Sequence, residues 1–212
     1  PNRFLTGDAA DLGAEPRRNY TQARLVFPDS AAGLAWSQWN THNDRYAILS
    51  SGGKDSLLSY GLLGEAVGAG RPAGGQVHPL FVNESGRHWF TALNAYRHMS
   101  RQDSLTARVW VNSDRLFAWM LRQMPFIRKD FEKVRSDYYP IRLWTVAVFL
   151  FGVLPLVRKR GLGRLIIGDE YDTSEKSTFQ GIAHYEGLYD QSIWFDHALS
   201  RYFMKKGWAV NQ

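Results

Sequence analysis

From residue 46 onward, short apolar runs alternate with longer amphipathic segments. Short apolar runs are typical of buried strands, whereas the longer segments repeat their apolar residues at helical spacing. Strands that alternate with helices form βαβ units around a parallel sheet, and right-handed crossovers favour helices on both faces. The sequence therefore predicts a doubly wound, mostly parallel α/β fold. The predicted strands span residues 46–49, 77–82, 107–111 and 165–167, and the predicted helices span residues 55–67, 87–99, 114–123, 143–157 and 190–205.

The chain of 212 residues has the length of one domain with a short extension. Residues 1–22 are polar and rich in Asp, Arg and Gly. A short strand is predicted at residues 23–27 and a short helix at residues 31–39. We therefore predict an N-terminal extension over residues 1–44 and the α/β domain over residues 45–212.

Composition narrows the chemistry that this chain can perform. The sequence contains no cysteine, which excludes disulfides, cysteine-ligated zinc, iron–sulfur clusters and a thiol nucleophile. A net charge of +6 favours anionic partners such as nucleotides or RNA. Residues 1–20 lack a signal-peptide pattern, and the apolar run at 143–157 is shorter than the roughly 20 residues that cross a bilayer. We expect a cytoplasmic protein with no membrane partner, in which this run is a buried core helix.

The first predicted strand leads into the first predicted helix through residues 51–56, with the sequence SGGKDS, which we call the glycine loop. Gly52 and Gly53 permit positive φ angles and close backbone approach, so successive amides can surround an anion at the positive end of a helix. Lys54 adds positive charge, and the serines add hydroxyl donors. These groups suit a pyrophosphate. The alternative is an ordinary strand-to-helix turn in which Asp55 only caps the helix.

The glycine loop lacks the spacing of a Walker A loop or of a GxGxxG fingerprint. It resembles the SGGxDS signature of the PP-loop ATP pyrophosphatases, and all the fixed positions match. Members of that superfamily cleave ATP between the α and β phosphates and use the AMP to activate a substrate oxygen. The resemblance implies a Rossmann-like fold of the adenine nucleotide alpha hydrolase type, with ATP and Mg²⁺ as cofactors.

The same resemblance implies roles for individual residues. The loop would hold the β and γ phosphates, with Lys54 stabilising charge on the leaving pyrophosphate and Asp55 binding Mg²⁺ or anchoring the loop. Adenine and ribose would lie at the ends of the first two strands. The nucleotide-binding residues implied in this way are Ser50, Ser51, Gly52, Gly53, Lys54, Asp55, Ser56, Phe81 and Asn83.

A second polar segment follows the fourth predicted strand and begins with Gly168, Asp169 and Glu170. The carboxyl ends of parallel strands share one edge of the sheet, so Gly168 is predicted to contact the nucleotide as well. The two carboxylates could bind Mg²⁺, or Glu170 could act as a base, but a solvated loop has the same composition. His184 could transfer protons, or it could be an ordinary packed or exposed histidine.

Residues 45–203 more specifically resemble the ATP-dependent epimerases that invert the terminal glutamate of UDP-N-acetylmuramoyl-alanyl-glutamate, a peptidoglycan precursor. The order of the glycine loop, the long apolar helix, the acidic segment and the aromatic-acidic segment at 189–196 carries the resemblance. The subgroup differs by having an asparagine in place of Asp169 and a cysteine-containing tail. The resemblance implies adenylation of a carboxylate followed by removal and return of the adjacent proton. The alternatives are a tRNA-modifying PP-loop enzyme and a nucleotide-binding regulator without turnover.

Overall fold

The computed structural model describes most of the chain outside the N-terminal region. The described residues are 3–11, 13, 15–17, 23–24, 26, 38–68, 76–83, 89–134, 145–169, 175–185 and 189–212. Residues 23, 24 and 26 of the strand predicted at 23–27 are described, and none of them is part of a strand. The helix predicted at residues 31–39 lies outside the described residues except for 38 and 39, and so does the predicted catalytic residue Glu170.

Four parallel strands form the central sheet in the order β3–β2–β1–β4. Leu49 of β1 pairs with Leu80 of β2, and Ile48 of β1 pairs with Ile166 of β4, so the strands end at a common edge. In the described part of the chain five α-helices accompany the strands, which confirms the predicted α/β class. The strands are β1 (His42–Leu49), β2 (Gln76–Asn83), β3 (Ala107–Trp110) and β4 (Leu162–Ile166), and the helices are α1 (Lys54–Gly68), α2 (Trp89–Gln102), α3 (Ser113–Gln123), α4 (Thr145–Arg160) and α5 (Ile193–Lys205).

Strand β1 begins at His42, four residues before the predicted start and three before the predicted domain boundary. Its first residues are polar and carry no apolar signal. They pair because β4 approaches closely: the His42 amide donates to the Gly161 carbonyl at 2.9 Å. A Cβ atom on Gly163 would lie 2.5 Å from the His42 carbonyl oxygen, so this approach requires glycine.

The structure also contains an antiparallel hairpin that the sequence analysis did not predict. It consists of β5 (Lys176–Phe179) and β6 (Ile182–Tyr185). The predicted closing helix starts three residues late, at Ile193, because Ser192 caps it by accepting a hydrogen bond from the Phe195 amide. The residues just before Ser192 form a short 3₁₀ helix, Tyr189–Gln191, instead.

Successive residues of strand β2 belong to two different hydrophobic clusters. Leu80 of β2 belongs to the main cluster with α4 and α5, whereas its neighbour Phe81 packs with Ala92 and Met99 of α2. Successive strand residues point to opposite faces, which explains this division. Helix α4 contributes most to the main cluster, as expected for a core helix. None of the described helices is long and apolar enough to cross a membrane.

The first described residues pack against the α/β domain. Phe4 is fully buried against Leu121, Ile127 and Phe131, and Leu5 forms a β-bridge with Ile127. This part of the predicted extension therefore contributes to a hydrophobic cluster at the end of α3.

A buried hydrogen-bond network lies at the amino end of the sheet. His78 of β2 is 3% exposed, and its Nδ1 accepts a hydrogen bond from Arg160 at 3.0 Å. Its Nε2 must therefore carry the proton and donate to Gln76 Oε1 at 3.2 Å. Arg160 also donates to the Leu105 carbonyl, which links the end of α4 to the turn before β3. Burial and the charge of Arg160 lower the pKa of His78 to about 4, so the histidine is neutral.

Candidate functional site

A pocket of about 270 Å³ opens at the carboxyl ends of β1, β2 and β4, and we call it the first pocket. Strands β2 and β3 lie on one side of β1 and β4 lies on the other, so the strand order reverses between β1 and β4. Ligands of parallel α/β sheets bind outside the strand ends at this point. Six predicted site residues line the pocket: Ser50, Ser51, Gly53, Asp55, Ser56 and Gly168.

The glycine loop connects β1 to α1, and a continuous chain of hydrogen bonds fixes its shape. The Gly52 amide donates to Ser50 Oγ at 3.2 Å, Ser50 Oγ lies 3.0 Å from Ser56 Oγ, and Ser56 Oγ donates to the Gly53 carbonyl at 3.1 Å. Because Ser56 uses its hydrogen on Gly53, Ser50 supplies the hydrogen between the two hydroxyls. Both serines therefore hold the loop, and the Gly52 amide is already occupied.

The amides at the start of α1 remain available to a ligand. Those of Lys54, Asp55 and Ser56 have no acceptor among the residues that the structure describes. Amides in the first turn have no partner within their own helix, and they carry the partial positive charge of the helix dipole. Since Asp55 and Ser56 also line the first pocket, this helix end can receive an anion.

The two glycines of the loop have different surroundings. Gly52 has a φ of 77°, and a Cβ atom there would lie 2.9 Å from Ala95 Cβ and 3.0 Å from the Thr91 carbonyl oxygen. Gly52 therefore allows the loop to pack against α2. Gly53 has more space, because a Cβ atom there would meet only Ser51 Oγ, at 3.4 Å, and it lines the first pocket.

Lys54 and Asp55 form an ion pair, with 2.6 Å between Nζ and Oδ1. Both side chains are largely exposed, at 88% and 77%. Asp55 lines the first pocket, whereas Lys54 does not. A ligand phosphate at the loop would therefore compete with Asp55 for the lysine ammonium group.

The apolar side of the first pocket contains residues that the sequence analysis did not select. Val146 and Phe149 of α4 line it together with Leu80 and Val82 of β2. A second pocket, of about 300 Å³, lies beside α2 and adds Trp89 to a wall that also includes Val82 and Phe149. The two pockets share four lining residues and so form one cleft around the glycine loop. Apolar walls with a few polar groups are typical of small-molecule sites.

Successive side chains of β2 point to opposite faces of the sheet, and this determines which of its residues reach the cleft. Phe81, a predicted nucleotide contact, is fully buried and packs edge-on against Tyr96, while Leu80 and Val82 line the first pocket. Asn83 is 2% exposed at the end of the strand, and its Oδ1 has no hydrogen-bond partner among the described residues. Neither Phe81 nor Asn83 lines either pocket.

Asp169, the first carboxylate after β4, interacts with Asp196 of α5. Burial, the charge of Asp196, a hydrogen bond with Asp196 and the charge of Asp190 raise the pKa of Asp169 to about 7. Burial also raises the pKa of Asp196, whose Oδ1 accepts from Gln212 Nε2 at 2.7 Å. Asp169 directly follows Gly168, a residue of the first pocket, but does not line that pocket itself.

His184 lies on β6, where it pairs in register with Ser177. Its side chain is exposed and is not part of either pocket wall. The structure therefore brings together the glycine loop, Ser50 and Gly168, and places Asp169 and His184 outside that group.

Comparison of the chain with protein-family models, curated proteins and solved structures gives no match.

Proposed function

We propose that this chain is an ATP-dependent enzyme that cleaves ATP to AMP and pyrophosphate and adenylates a carboxylate or amide-type oxygen of a small-molecule or peptide-like substrate. One observation carries the proposal: at a pocket between β1 and β4, the SGGKDS loop presents first-turn amides of α1 that have no acceptor in the described part of the chain. Those amides suit a phosphate chain, and the apolar walls suit the rest of a nucleotide.

We also propose that the sheet is doubly wound and Rossmann-like, of the adenine nucleotide alpha hydrolase type. The strand order β3–β2–β1–β4 supports this topology. The division of Leu80 and Phe81 between the cluster of α4 and α5 and the cluster of α2 supports helices on both faces. In such sheets the first loop after β1 receives the phosphates.

In the proposed reaction, a substrate oxygen attacks the α phosphorus, the bond from that phosphorus to the bridging oxygen breaks, and pyrophosphate leaves with the electron pair. The loop amides and Lys54 stabilise the negative charge that collects on the leaving group. Mg²⁺ supplies further charge neutralisation when it is bound. Asp55 fits the role of its ligand, because it is a carboxylate that lines the first pocket.

The narrower proposal is epimerisation of a glutamate that has been activated in this way. Adenylation makes the neighbouring C–H more acidic, so a base with a pKa near neutrality can remove the proton and return it. The pKa of about 7 at Asp169, beside Gly168 of the pocket, supports a proton-transfer role for this segment. The catalytic role of Glu170 and the Mg²⁺-binding role of Asp169 and Glu170 remain predictions. His184 remains a predicted proton-transfer residue, although its side chain is exposed on β6 and lines neither pocket.

The proposed ATP cleavage is tested by identifying the nucleotide product of the reaction. The protein with Mg-ATP and UDP-N-acetylmuramoyl-alanyl-glutamate should form AMP and pyrophosphate, and the reaction in D₂O should place deuterium at the glutamate Cα. Lys54→Ala should slow AMP formation by at least about tenfold, since it removes a charge that stabilises the leaving group. Lys159→Ala removes an equal charge at the far end of α4 and should leave the rate unchanged. Formation of ADP in place of AMP would refute the proposal.

A further inference from the structure

Helix α4 begins at the first pocket, and its first turn is tied to a distant part of the chain. Asp190, in the 3₁₀ helix Tyr189–Gln191, is 0% exposed. Its Oδ2 accepts hydrogen bonds from the Val146 amide at 2.9 Å and from the Ala147 amide at 3.1 Å. A buried carboxylate therefore occupies the positive end of the helix, where such a group stabilises the first turn.

This contact bears on the cleft because Val146 and Phe149 lie in the same turn of α4 and line the first pocket. The pocket thus borders two helix N-termini with opposite properties. The amides of α1 are free among the described residues, whereas those at the start of α4 are already used by Asp190. A phosphate chain would be attracted to either end if both were open.

We propose that Asp190 is a positioning residue of the pocket: it fixes the α4 wall formed by Val146 and Phe149 against the organic part of the bound nucleotide, and it closes the N-terminus of α4 to phosphate. This inference rests on the proposed function, because it assumes that the pocket binds a nucleotide. It assigns Asp190 no contact with the ligand.

The two roles of Asp190 have separate consequences for binding. Loss of its hydrogen bonds releases the α4 wall, which lowers the affinity for a ligand that contacts this wall. Loss of its negative charge removes a repulsion, so a bare anion at the glycine loop binds equally well or better. A nucleotide and inorganic pyrophosphate should therefore respond in different ways to the same substitution, whereas general damage to the fold would weaken both.

The experiment compares two ligands by isothermal titration calorimetry: α,β-methylene-ATP with Mg²⁺, which resists cleavage between the α and β phosphates, and inorganic pyrophosphate. Asp190→Ala should raise the Kd of the nucleotide analogue by about tenfold without raising that of pyrophosphate. Asp190→Asn keeps an oxygen acceptor but loses the stronger, charge-assisted bonds, so an increase of about threefold is expected for the analogue alone.

Ser192→Ala is the matched control, because Ser192 is also buried and caps a helix, α5, that does not line the first pocket. It should change neither Kd. If Asp190→Ala does not fold, the comparison of Asp190→Asn with Ser192→Ala decides the question in the same way. An unchanged ratio of the two Kd values in a folded Asp190 variant, or an equal change in Ser192→Ala, would overturn the inference. Failure of the unmodified protein to bind the analogue would overturn the proposed function as well.

Discussion

Replacing Gly52 by alanine should destabilise the protein far more than the same change at its neighbour Gly53. At Gly52 the residue has a φ of 77°, and the added Cβ would lie 2.9 Å from Ala95 Cβ and 3.0 Å from the Thr91 carbonyl oxygen. The left-handed conformation costs a non-glycine residue about 1–2 kcal/mol, and overpacking costs about 1–3 kcal/mol. We therefore expect the free energy of unfolding to fall by about 2–5 kcal/mol.

Gly53→Ala is the matched control within the same loop. Gly53 does not have a positive φ, and the added Cβ would meet only Ser51 Oγ, at 3.4 Å. We expect a loss of unfolding free energy below about 1 kcal/mol. Because Gly53 lines both pockets, its new methyl group should instead weaken binding of α,β-methylene-ATP by about tenfold.

Urea titration followed by tryptophan fluorescence measures the first effect, since the sequence contains eight tryptophans. Calorimetry with the nucleotide analogue measures the second. Gly52 is thus expected to act through packing against α2, and Gly53 through contact with the ligand. Equal losses of stability in the two variants would show that the close approach of Gly52 to α2 is wrong, and unchanged affinity in Gly53→Ala would remove Gly53 from the ligand site.

Three further changes test other parts of the structure. The pKa of His78 is lowered to about 4 from an unfolded value near 6.5, so its contribution to stability is complete above pH 6.5 and is lost as the pH falls toward 4. Urea titrations should show the free energy of unfolding falling by about 3 kcal/mol across this pH range, and the fall should be absent in His78→Gln. Ser50→Ala leaves the Gly52 amide without its acceptor and should lower the free energy of unfolding by about 1–2 kcal/mol, whereas the exposed Ser51→Ala should have little effect on a thermal melt. Lys54→Ala breaks only an exposed ion pair, so its melting temperature should match that of the unmodified protein while its affinity for pyrophosphate falls.

The sheet and the loop could be predicted from local patterns because each depends on residues close together in the sequence. Apolar runs mark β2 and β4, and the two glycines after β1 mark the turn into α1. The start of β1 could not be predicted in this way, because polar residues from His42 onward pair through the close approach of Gly163 from a distant strand. The hairpin of β5 and β6 had one local signal, Gly181, which adopts a positive φ in the turn together with Gln180, but its strands lack an apolar run.

The apolar wall of the site was missed for a different reason. The segment of α4 is apolar almost throughout, so its sequence predicts burial without indicating which residues border a pocket. Asp190 lies 44 positions after Val146, and no spacing rule connects a cap to a helix so far away. Phe81 was selected by its place at the end of β2, whereas the alternation of strand residues brings Leu80 and Val82 to the pocket instead.

The capping of the helices supports the proposal that the glycine loop receives a ligand. Helices α4 and α5 are capped by Asp190 and Ser192, and a capping side chain stabilises a helix by about 1 kcal/mol. Helix α1 has no such acceptor for its first amides among the described residues, because Ser50 and Ser56 use their hydroxyls within the loop. A phosphate bound there would supply the missing acceptor. Part of the stabilisation that α4 and α5 obtain from capping side chains would thus appear, for α1, as affinity for the ligand. Helix α3 likewise has no side-chain cap among the described residues, but it does not line the first pocket.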